Sequence, residues 1–252
     1  AQADASAAGS PPPGPRPPPG YKISMRMRHN LRRWHIWLGW LVGIPMLFWT
    51  VSGVVMVWKP IEEVRGTDLL AEPAPVRLAA PPVVPQVAGL QIEGLSLENR
   101  ATGPRWVIDV RDAPTRLADP RTGALLPPVS AAEAAREVTS RYRGKARLAS
   151  VTRTSADSPP LDLRRPVAAW AVEMTDGTRF YVDASSGEVI ARRTRWWRIY
   201  DWMWGLHIMD LDTREDTHNP WVVGFGIAAL VTSFLALFLL PLTLRRRRSR
   251  SA

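Results

Sequence analysis

The most apolar segment of the chain predicts a membrane-spanning helix. Residues 34–58 contain no acidic residue, no lysine and no arginine, and about 20 apolar residues are enough for a helix to cross a bilayer core. Tryptophans stand at both ends, with Trp34 and Trp37 at the first and Trp58 at the last, as is typical of membrane interfaces. The segment is too long for a cleaved signal peptide, so we interpret it as an uncleaved signal anchor.

A second apolar segment, residues 221–244, predicts another membrane-spanning helix. The basic residues lie mainly outside both spans: residues 1–33 carry six and one acid, residues 245–252 carry five, and the remainder is balanced. Basic flanks are typical of the cytoplasmic side of a membrane. We therefore expect both termini in the cytoplasm and residues 59–220 on the other side. Because the excess charge lies in flanks and not on a basic face, we expect no nucleic-acid partner.

The segment between the spans predicts antiparallel strands and one helix, an α+β fold. The helix begins at a capping box, in which Ser130 and Glu133 bond each other's backbone amides, and we expect it to run to about Arg143 and to stop at Gly144. Alternating apolar positions bounded by turn residues predict six strands. These are Trp106–Val110, Arg116–Ala118, Leu148–Thr154, Val167–Met174, Arg179–Asp183 and Glu188–Arg192.

Part of this segment is an internal repeat without a gap. Five positions recur 64 residues later, where Trp106, Asp112, Asp119, Thr122 and Gly123 become Trp170, Asp176, Asp183, Ser186 and Gly187. Each copy closes with an Asp-x-x-(Thr/Ser)-Gly turn, in which the aspartate caps amides and the glycine supplies a positive φ. We predict two related units with turn glycines at Gly123 and Gly187 and a third at Gly177. The aspartates are expected to serve the turns and not catalysis.

Small residues recur every three or four positions on one face of each span. They are Gly39, Gly43 and Gly53 in the first span and Gly224 and Ala228 in the second. Stripes of this kind let two helices approach closely. We predict helix packing at these positions, either within one chain or between two chains.

The cysteine and histidine content limits the cofactor chemistry. The chain has no cysteine and four histidines, which excludes disulfides, thiolate catalysis, iron–sulfur ligation and covalent haem attachment. His35 lies at the start of the first span and His207 before the second, whereas His29 lies in the basic flank and His218 just before Pro220.

The acidic segment at residues 209–218 has two interpretations. Its carboxylates and His218 suit a hard metal ion, or the acids pair with nearby arginines, which is what we expect. These arginines are Arg192, Arg193, Arg195 and Arg198. We assign no metal ligand and no catalytic residue, since no nucleophile–base pair and no nucleotide-binding loop is recognisable.

Several motifs together resemble the PepSY-associated transmembrane proteins. The sequence FYVDASSGEV at 180–189 is similar to the end of a PepSY domain. RRWH at 32–35 leading into Leu38-Gly39, with Ser52-Gly53 further on, is similar to the first helix of that family, and WGLH at 204–207 to its membrane re-entry segment. The resemblance implies a bacterial inner-membrane protein with a periplasmic α+β domain, often associated with the uptake of iron, siderophores or other metals.

With this resemblance, we expect eight segments along the chain. They are a disordered proline-rich tail at 1–20, a basic cytoplasmic flank at 21–33, a transmembrane helix at 34–58, a linker with the start of the first unit at 59–104, a periplasmic PepSY-like domain at 105–195, a juxtamembrane segment at 196–220, a transmembrane helix at 221–244 and a basic cytoplasmic tail at 245–252.

The resemblance also raises the question of haem. Larger members with about four spans resemble reductases in which histidines at helix ends ligate haem b, and this chain has only two spans. His35 and His207 match the family positions and are the candidate ligands, but a core of roughly 30 Å separates them. One haem with two axial imidazoles then needs a dimer that pairs one of these histidines with its copy, or the pair His207 and His218. Interfacial histidines without haem are the other interpretation.

Two functions follow as expectations. The first is a non-catalytic accessory or regulatory protein in periplasmic metal uptake or proteolysis control, embedded in the lipid bilayer and associated as a homo-dimer or with another envelope membrane protein. The second is a haem b electron-transfer protein, or a ferric or siderophore reductase subunit, that works as a dimer. We expect the first and keep the second as the alternative.

Overall fold

The structure, a computed structural model, describes the backbone of residues 19–248 and the side chains of Met27 and residues 29–240. It consists of two units, one formed by the chain up to Phe48 together with the chain from Pro220 onward, the other by residues 49–219. Most of the predicted tail at 1–20 and the last residues of the basic tail lie outside the described residues.

Two long helices contain the predicted spans. Helix α1 comprises Pro19–Val57 and therefore includes the basic flank, and helix α5 comprises Pro220–Arg248. By length and composition, His29–Val57 and Pro220–Leu240 are candidate membrane spans. Most of the large apolar side chains on both are exposed, and exposed apolar surface of this extent marks a contact with a membrane or another protein.

The second unit is built on two antiparallel sheets. The strands β1 (Ile92–Arg100), β2 (Gly103–Val110) and β3 (Arg116–Ala118) form the first sheet in that order, and β4 (Leu148–Thr154), β5 (Ala169–Met174), β6 (Arg179–Asp183) and β7 (Val189–Arg193) form the second. The helices of this unit are α2 (Ile61–Arg65), a 3-10 turn at Thr67–Leu69, α3 (Ala131–Thr139) and α4 (Arg195–His207). The predicted α+β class, with antiparallel strands and two long apolar helices, is confirmed.

The two sheets repeat the same strand pairing. Trp106 on β2 lies opposite Ala118 on β3, and Trp170 on β5 lies opposite Val182 on β6. Both pairs are related by the offset of 64 residues seen in the sequence. The repeat is therefore a repeat of structure, with an identical register in its two copies.

The turns that close the two copies also have the same geometry. The amide of Gly123 donates to the carbonyl of Asp119 at 2.8 Å, and the amide of Gly187 donates to the carbonyl of Asp183 at 2.9 Å. Both glycines have a positive φ, 73° and 71°, and Gly177 in the β5–β6 hairpin has a φ of 81°.

One apolar core joins α3 to both sheets. It consists of Val107 and Leu117 from the first sheet, Ala134 and Val138 from α3, and Val172, Met174, Phe180 and Val182 from the second. The helix starts as predicted, since Ser130 Oγ accepts the Glu133 amide and Glu133 Oε2 accepts the Ser130 amide. Burial of these side chains on one face of each element accounts for most of the packing that holds the unit together.

The other face of the second sheet positions α4. Buried Tyr181 donates a 2.5 Å hydrogen bond to Asp162, and burial raises the pKa of the Tyr181 hydroxyl to about 12. The Arg193 guanidinium bonds the Asp162 carbonyl and lies 4.1 Å from the ring centroid of Trp197 on α4. Cation–π contact thus links β7 to the first turn of α4.

Helix α3 is shorter than predicted, ending at Thr139 and not near Arg143. The residues beyond it pair with the chain that precedes β1. The carbonyl of Arg141 accepts the amide of Ala71 at 2.9 Å, and the amide of Arg143 donates to the carbonyl of Leu69 at 3.0 Å. Because these backbone groups bond across the unit, they cannot continue the helical i→i−4 pattern.

The sequence pattern does not predict β1 or α4. Strand β1 lies at a sheet edge and has no fully buried residue, and Gly94 and Ser96 stand among its apolar residues. Helix α4 begins at Thr194, whose Oγ1 accepts the amide of Trp197 at 2.9 Å. Its arginines and tryptophans obscure the helical period, because these side chains lie on several faces of the helix and contact different parts of the unit.

Candidate functional site

The end of α4 places one histidine against α1. The Nδ1 of His207 lies 3.0 Å from the Ser52 hydroxyl oxygen and 3.2 Å from the carbonyl oxygen of Trp49. The Trp49 indole stacks on the imidazole, with ring centroids 4.4 Å apart and an interplanar angle of 22°. We call Trp49, Ser52, Gly53 and His207 the His207 cluster.

Two small residues of α1 make room for this imidazole. Ser52 is fully buried, and its hydroxyl donates to the Trp49 carbonyl of its own helix at 2.8 Å. A Cβ added at Gly53 would lie 3.5 Å from Cε1 of His207, so a methyl group fits there and a longer side chain meets the ring. The predicted packing position Gly53 therefore faces the histidine of α4.

The two oxygens near Nδ1 differ in what they can do. The Trp49 carbonyl can only accept, and the Ser52 hydroxyl lies within hydrogen-bond distance of that carbonyl as well. A proton on Nδ1 would be donated to the Trp49 carbonyl, whereas the Ser52 hydroxyl can either donate to Nδ1 or accept from it. Nε2 makes no hydrogen bond within the part of the chain that the structure describes. An imidazole nitrogen that carries a lone pair can bind a metal or accept a hydrogen bond.

The other histidines do not join this cluster. His35 and Ser52 are both on α1, about 26 Å apart along the axis at 1.5 Å per residue. The Nδ1 of His35 is buried and has no hydrogen-bond partner among the described residues. His218 is exposed, with its Nδ1 near the hydroxyl of its neighbour Thr217, and His29 is exposed. That His35 and His207 of one chain cannot share an iron stays a prediction from the sequence.

A buried ion triad lies on the opposite face of α4. Asp201 is 4% exposed, and its two carboxylate oxygens lie 2.5 Å from Arg164 Nη2 and 2.6 Å from Arg214 Nη1. Both arginines have a positive φ, 57° and 59°, a conformation that costs a non-glycine residue about 1 kcal/mol or more. The triad joins the β4–β5 loop and the segment after α4 to the helix. Sequence reasoning missed it.

The segment after α4 is a loop organised by Asp210. Its carboxylate accepts the hydroxyl and amide of Thr213 and the amides of Asp212, Glu215 and Asp216. These hydrogen bonds, that of the Thr213 hydroxyl first, hold the pKa of Asp210 well below its usual range. Gly205 of α4 packs under this loop, because a Cβ there would lie 2.8 Å from the Asp210 carbonyl.

The expected pairing of these acids with the arginines before and at the start of α4 is wrong. Arg198 donates to the carbonyl of Gly177 at 2.8 Å. Arg193 donates to the carbonyl of Asp162 and lies over the ring of Trp197. Asp210 and Asp216 instead accept backbone amides of the loop itself, two to six residues further along the chain. Among the described side chains, no group of three or more acids and histidines is arranged to hold a metal ion.

Residues 32–251 match the family described as PepSY-associated TM region. The chain belongs to this family. No curated protein and no solved structure matches it. The two motifs of α1 and α4 that resemble the PepSY-associated proteins, Ser52-Gly53 and the WGLH sequence ending at His207, are the ones that meet in the His207 cluster.

Helix packing at the remaining small residues of this PepSY-associated chain stays a prediction. A Cβ added at Gly39, Gly43 or Gly224 would meet no heavy atom within 4 Å among the described residues. Ala228 accepts, through its carbonyl, the Thr232 hydroxyl of the same helix. These faces are open to lipid or to another helix.

Proposed function

We propose that this PepSY-associated protein is a non-catalytic partner of another envelope protein in the bacterial inner membrane. Two spans anchor it, both termini lie in the cytoplasm, and the unit with the two sheets lies in the periplasm, as the basic flanks favour. Its partner acts in the uptake of iron, siderophores or other metals, or is a peptidase that it restrains. The sheets supply the binding surface.

The observation that carries this proposal is the free edge of the first sheet. Strand β1 is nine residues long and, among the described residues, pairs with β2 alone. Ile92 and Leu95 on it are 40% and 42% exposed. A long, exposed edge strand offers unpaired backbone groups to a second chain, and peptides bind to such edges as an added strand. The expected ligand is an extended segment with apolar residues at alternate positions.

The carboxylates at the ends of the sheets support a non-catalytic function, because they cap turns of the fold. Asp119 accepts the Arg121 amide at 2.9 Å, and Asp183 accepts the amides of Ser185 and Ser186 at 2.7 and 2.8 Å. Carboxylates used as turn caps are held by several donors and are poorly suited to proton transfer. Among the described strands that lie at a sheet edge, β1 is the longest and therefore offers the most unpaired backbone groups.

Site-specific crosslinking in intact cells tests the proposal. A photoreactive amino acid at Leu95 is expected to give a discrete protein adduct, and the same probe at Arg136, exposed on α3, is expected to give none. The further substitution Ile92→Lys should abolish the adduct, because a charged residue on an edge strand opposes pairing. Equal labelling at both positions, or no adduct at Leu95, contradicts it.

We infer haem b binding by a dimer as the second candidate function. The supporting observation is Nε2 of His207, which makes no hydrogen bond among the described residues, while Nδ1 lies 3.2 Å from the Trp49 carbonyl oxygen, the arrangement that orients histidine ligands in metal sites. His207 from each of two copies would hold the haem through its imidazole. Haem b, when bound, would supply one-electron transfer, as in a reductase subunit.

An absorption spectrum of the purified protein separates the two functions. If haem is bound, His207→Ala abolishes the Soret and α bands and His29→Ala leaves them unchanged. His35→Ala tests the other expected ligand, since pairing of His35 with its copy would also give a spectrum. A colourless preparation from haem-replete cells rules out the second function and leaves the first intact.

A further inference from the structure

Helix α4 carries an apolar stripe that no other described part of the second unit covers. Residues 199, 202 and 206 fall on one face, since they are spaced by three and four. Ile199 is 38% exposed and Trp202 is 48% exposed, and Leu206, which follows them on the same face, is half-buried. The other faces of α4 are occupied: Trp197 packs against Arg193, and Asp201 binds its two arginines.

The end of this helix lies beside the last turns of the first span. His207 contacts Ser52, which precedes the end of the candidate span at Val57 by five residues, about 8 Å at 1.5 Å per residue. Helices that lie in a membrane interface bury their apolar face roughly 5–10 Å into the headgroup–acyl boundary. The C-terminal end of α4, where the stripe ends at Leu206, therefore lies next to the last turns of an apolar helix suited to lipid.

The start of α4 has the charge that such a position requires. Its first turn carries Arg195 and Arg198 and no acid, although a helix N-terminus favours negative charge. Arg195 is exposed and lies four residues before Ile199, on the same stripe. A lipid phosphate next to this turn would supply the missing negative charge and pair with the arginine.

We propose that α4 is an in-plane interfacial helix whose stripe Ile199–Trp202–Leu206 is immersed in the lipid of the outer leaflet, with Arg195 at the phosphate level. The occupant of this face is lipid, not a protein. This role does not depend on which partner or cofactor the protein takes. It fixes the height of the sheets above the membrane, because α4 is joined to β7 through Thr194 and to the β4–β5 loop through Asp201.

The absence of cysteine from the chain allows a direct test with the full-length protein. Ile199→Cys and Leu206→Cys each provide a single site for a nitroxide label, in protein reconstituted into phosphatidylethanolamine–phosphatidylglycerol vesicles. Phe234→Cys, at a position of α5 that is 64% exposed, is the lipid control, and Ser150→Cys, exposed on β4, is the water control. Electron paramagnetic resonance then compares collisions with oxygen, which partitions into lipid, and with a water-soluble nickel chelate.

The expected result is high oxygen access and low nickel access at both α4 positions, with a ratio several-fold above that of Ser150→Cys and close to that of Phe234→Cys. Nickel access equal to that of Ser150→Cys would mean that the stripe faces water and would overturn the proposal. Low access to both reagents with an immobilised label would mean that protein covers the stripe, and would overturn it as well. Two label positions guard against local unfolding at either one.

Discussion

The indole nitrogen of Trp170 donates a 2.7 Å hydrogen bond to the backbone carbonyl of Val129. Trp106, its counterpart in the first copy of the repeat, donates a 2.9 Å hydrogen bond to the carbonyl of Val83. Each tryptophan thus ties a central strand to the chain that enters its own copy. The repeat therefore also includes the segment that enters each copy, although the two entry segments, at Val83 and Val129, are not separated by 64 residues in the sequence.

The entry segments themselves bond in the same way. The amide of Val83 donates to the carbonyl of Pro120, and the amide of Val129 donates to the carbonyl of Ala184, both at 2.8 Å. Each valine follows two prolines in the sequence. The two copies differ in what comes next, because the second inserts α3 where the first continues directly toward β1, and the second sheet has a fourth strand, β7.

Replacing either tryptophan by phenylalanine should loosen its own sheet. Trp170→Phe removes the hydrogen bond to the Val129 carbonyl, which costs about 1 kcal/mol, and Trp106→Phe should do the same in the first sheet. Amide hydrogen exchange of β5 and β2 measures the two effects separately. Trp58→Phe, at a side chain 74% exposed, is the control and should change neither. Equal protection in all three variants would contradict the structural role of the indole bonds.

The two turn glycines should be intolerant of side chains for different reasons. Gly187→Val places a branched side chain at a φ of 71°, a strain of about 1–2 kcal/mol. Gly123→Val adds a collision, since its Cβ would lie 2.7 Å from the Val84 carbonyl. Gly89→Val, at a φ of 83° with open space around it, isolates the strain alone. Unfolding measured by exchange should rank Gly123→Val as the most destabilised, and a ranking below Gly89→Val would refute this account.

The parts of the fold that follow from local chemistry were predictable. The register of β5 and β6 depends on the turn at Asp176-Gly177, and α3 begins at the Ser130–Glu133 box, so both can be found within a few residues of sequence. Strand β1 and helix α4 could not be found that way. In β1, Gly94 and Ser96 stand among the apolar residues, and in α4 the arginines and tryptophans around the stripe Ile199–Trp202–Leu206 obscure its helical spacing.

The sequence drew attention to His207, Ser52 and Gly53, but it indicated neither Trp49 nor the contacts among these residues. His207 and Ser52 are separated by 155 residues, and only a family resemblance drew attention to both. The Asp201 triad has no sequence signal, because aspartate and arginine are ordinary surface residues until the fold buries them. Such long-range polar contacts depend on tertiary packing, which residue type and spacing do not encode.

Removing the charge of Asp201 should be the most destabilising single polar change in the second unit. Asp201→Asn leaves two guanidinium groups, each 18% exposed, without their anion, and loss of one partner from a buried pair costs about 3 kcal/mol. Glu215→Gln is the matched control, because its carboxylate lies 3.9 Å from Arg164 and is 59% exposed, so its loss should cost less than about 0.5 kcal/mol. Thermal unfolding of both variants decides, and equal midpoints would exclude a stabilising triad.

The loop after α4 should lose its order in acid. Folding lowers the pKa of Asp210 below its ordinary 3.8, so the stabilisation from this carboxylate is complete above the ordinary value and is lost as the pH falls through the lower, folded-state value. A nitroxide at Asp212→Cys should keep constant mobility from neutral pH down to about 4 and become mobile below it. Adding Asp210→Asn should make the label mobile at every pH, and a transition near neutrality would point to another group.

The orientation of the protein should follow its basic flanks. A reporter fused after Arg250 is expected to be active only in the cytoplasm. One inserted at the exposed residues Asp157–Ser158, near Pro160, is expected to be active only in the periplasm, because the positive-inside rule counts charges within about 15–20 residues of a span.

Three arginines, Arg192, Arg195 and Arg198, lie on the opposite side and oppose this orientation. However, Arg198 bonds the Gly177 carbonyl, and the two flanks hold eleven basic residues. Replacing Arg245–Arg248 by glutamine should therefore leave a mixed population with both reporters partly active. Two reporters on the same side of the membrane in the unaltered protein would show that the chain does not cross it twice.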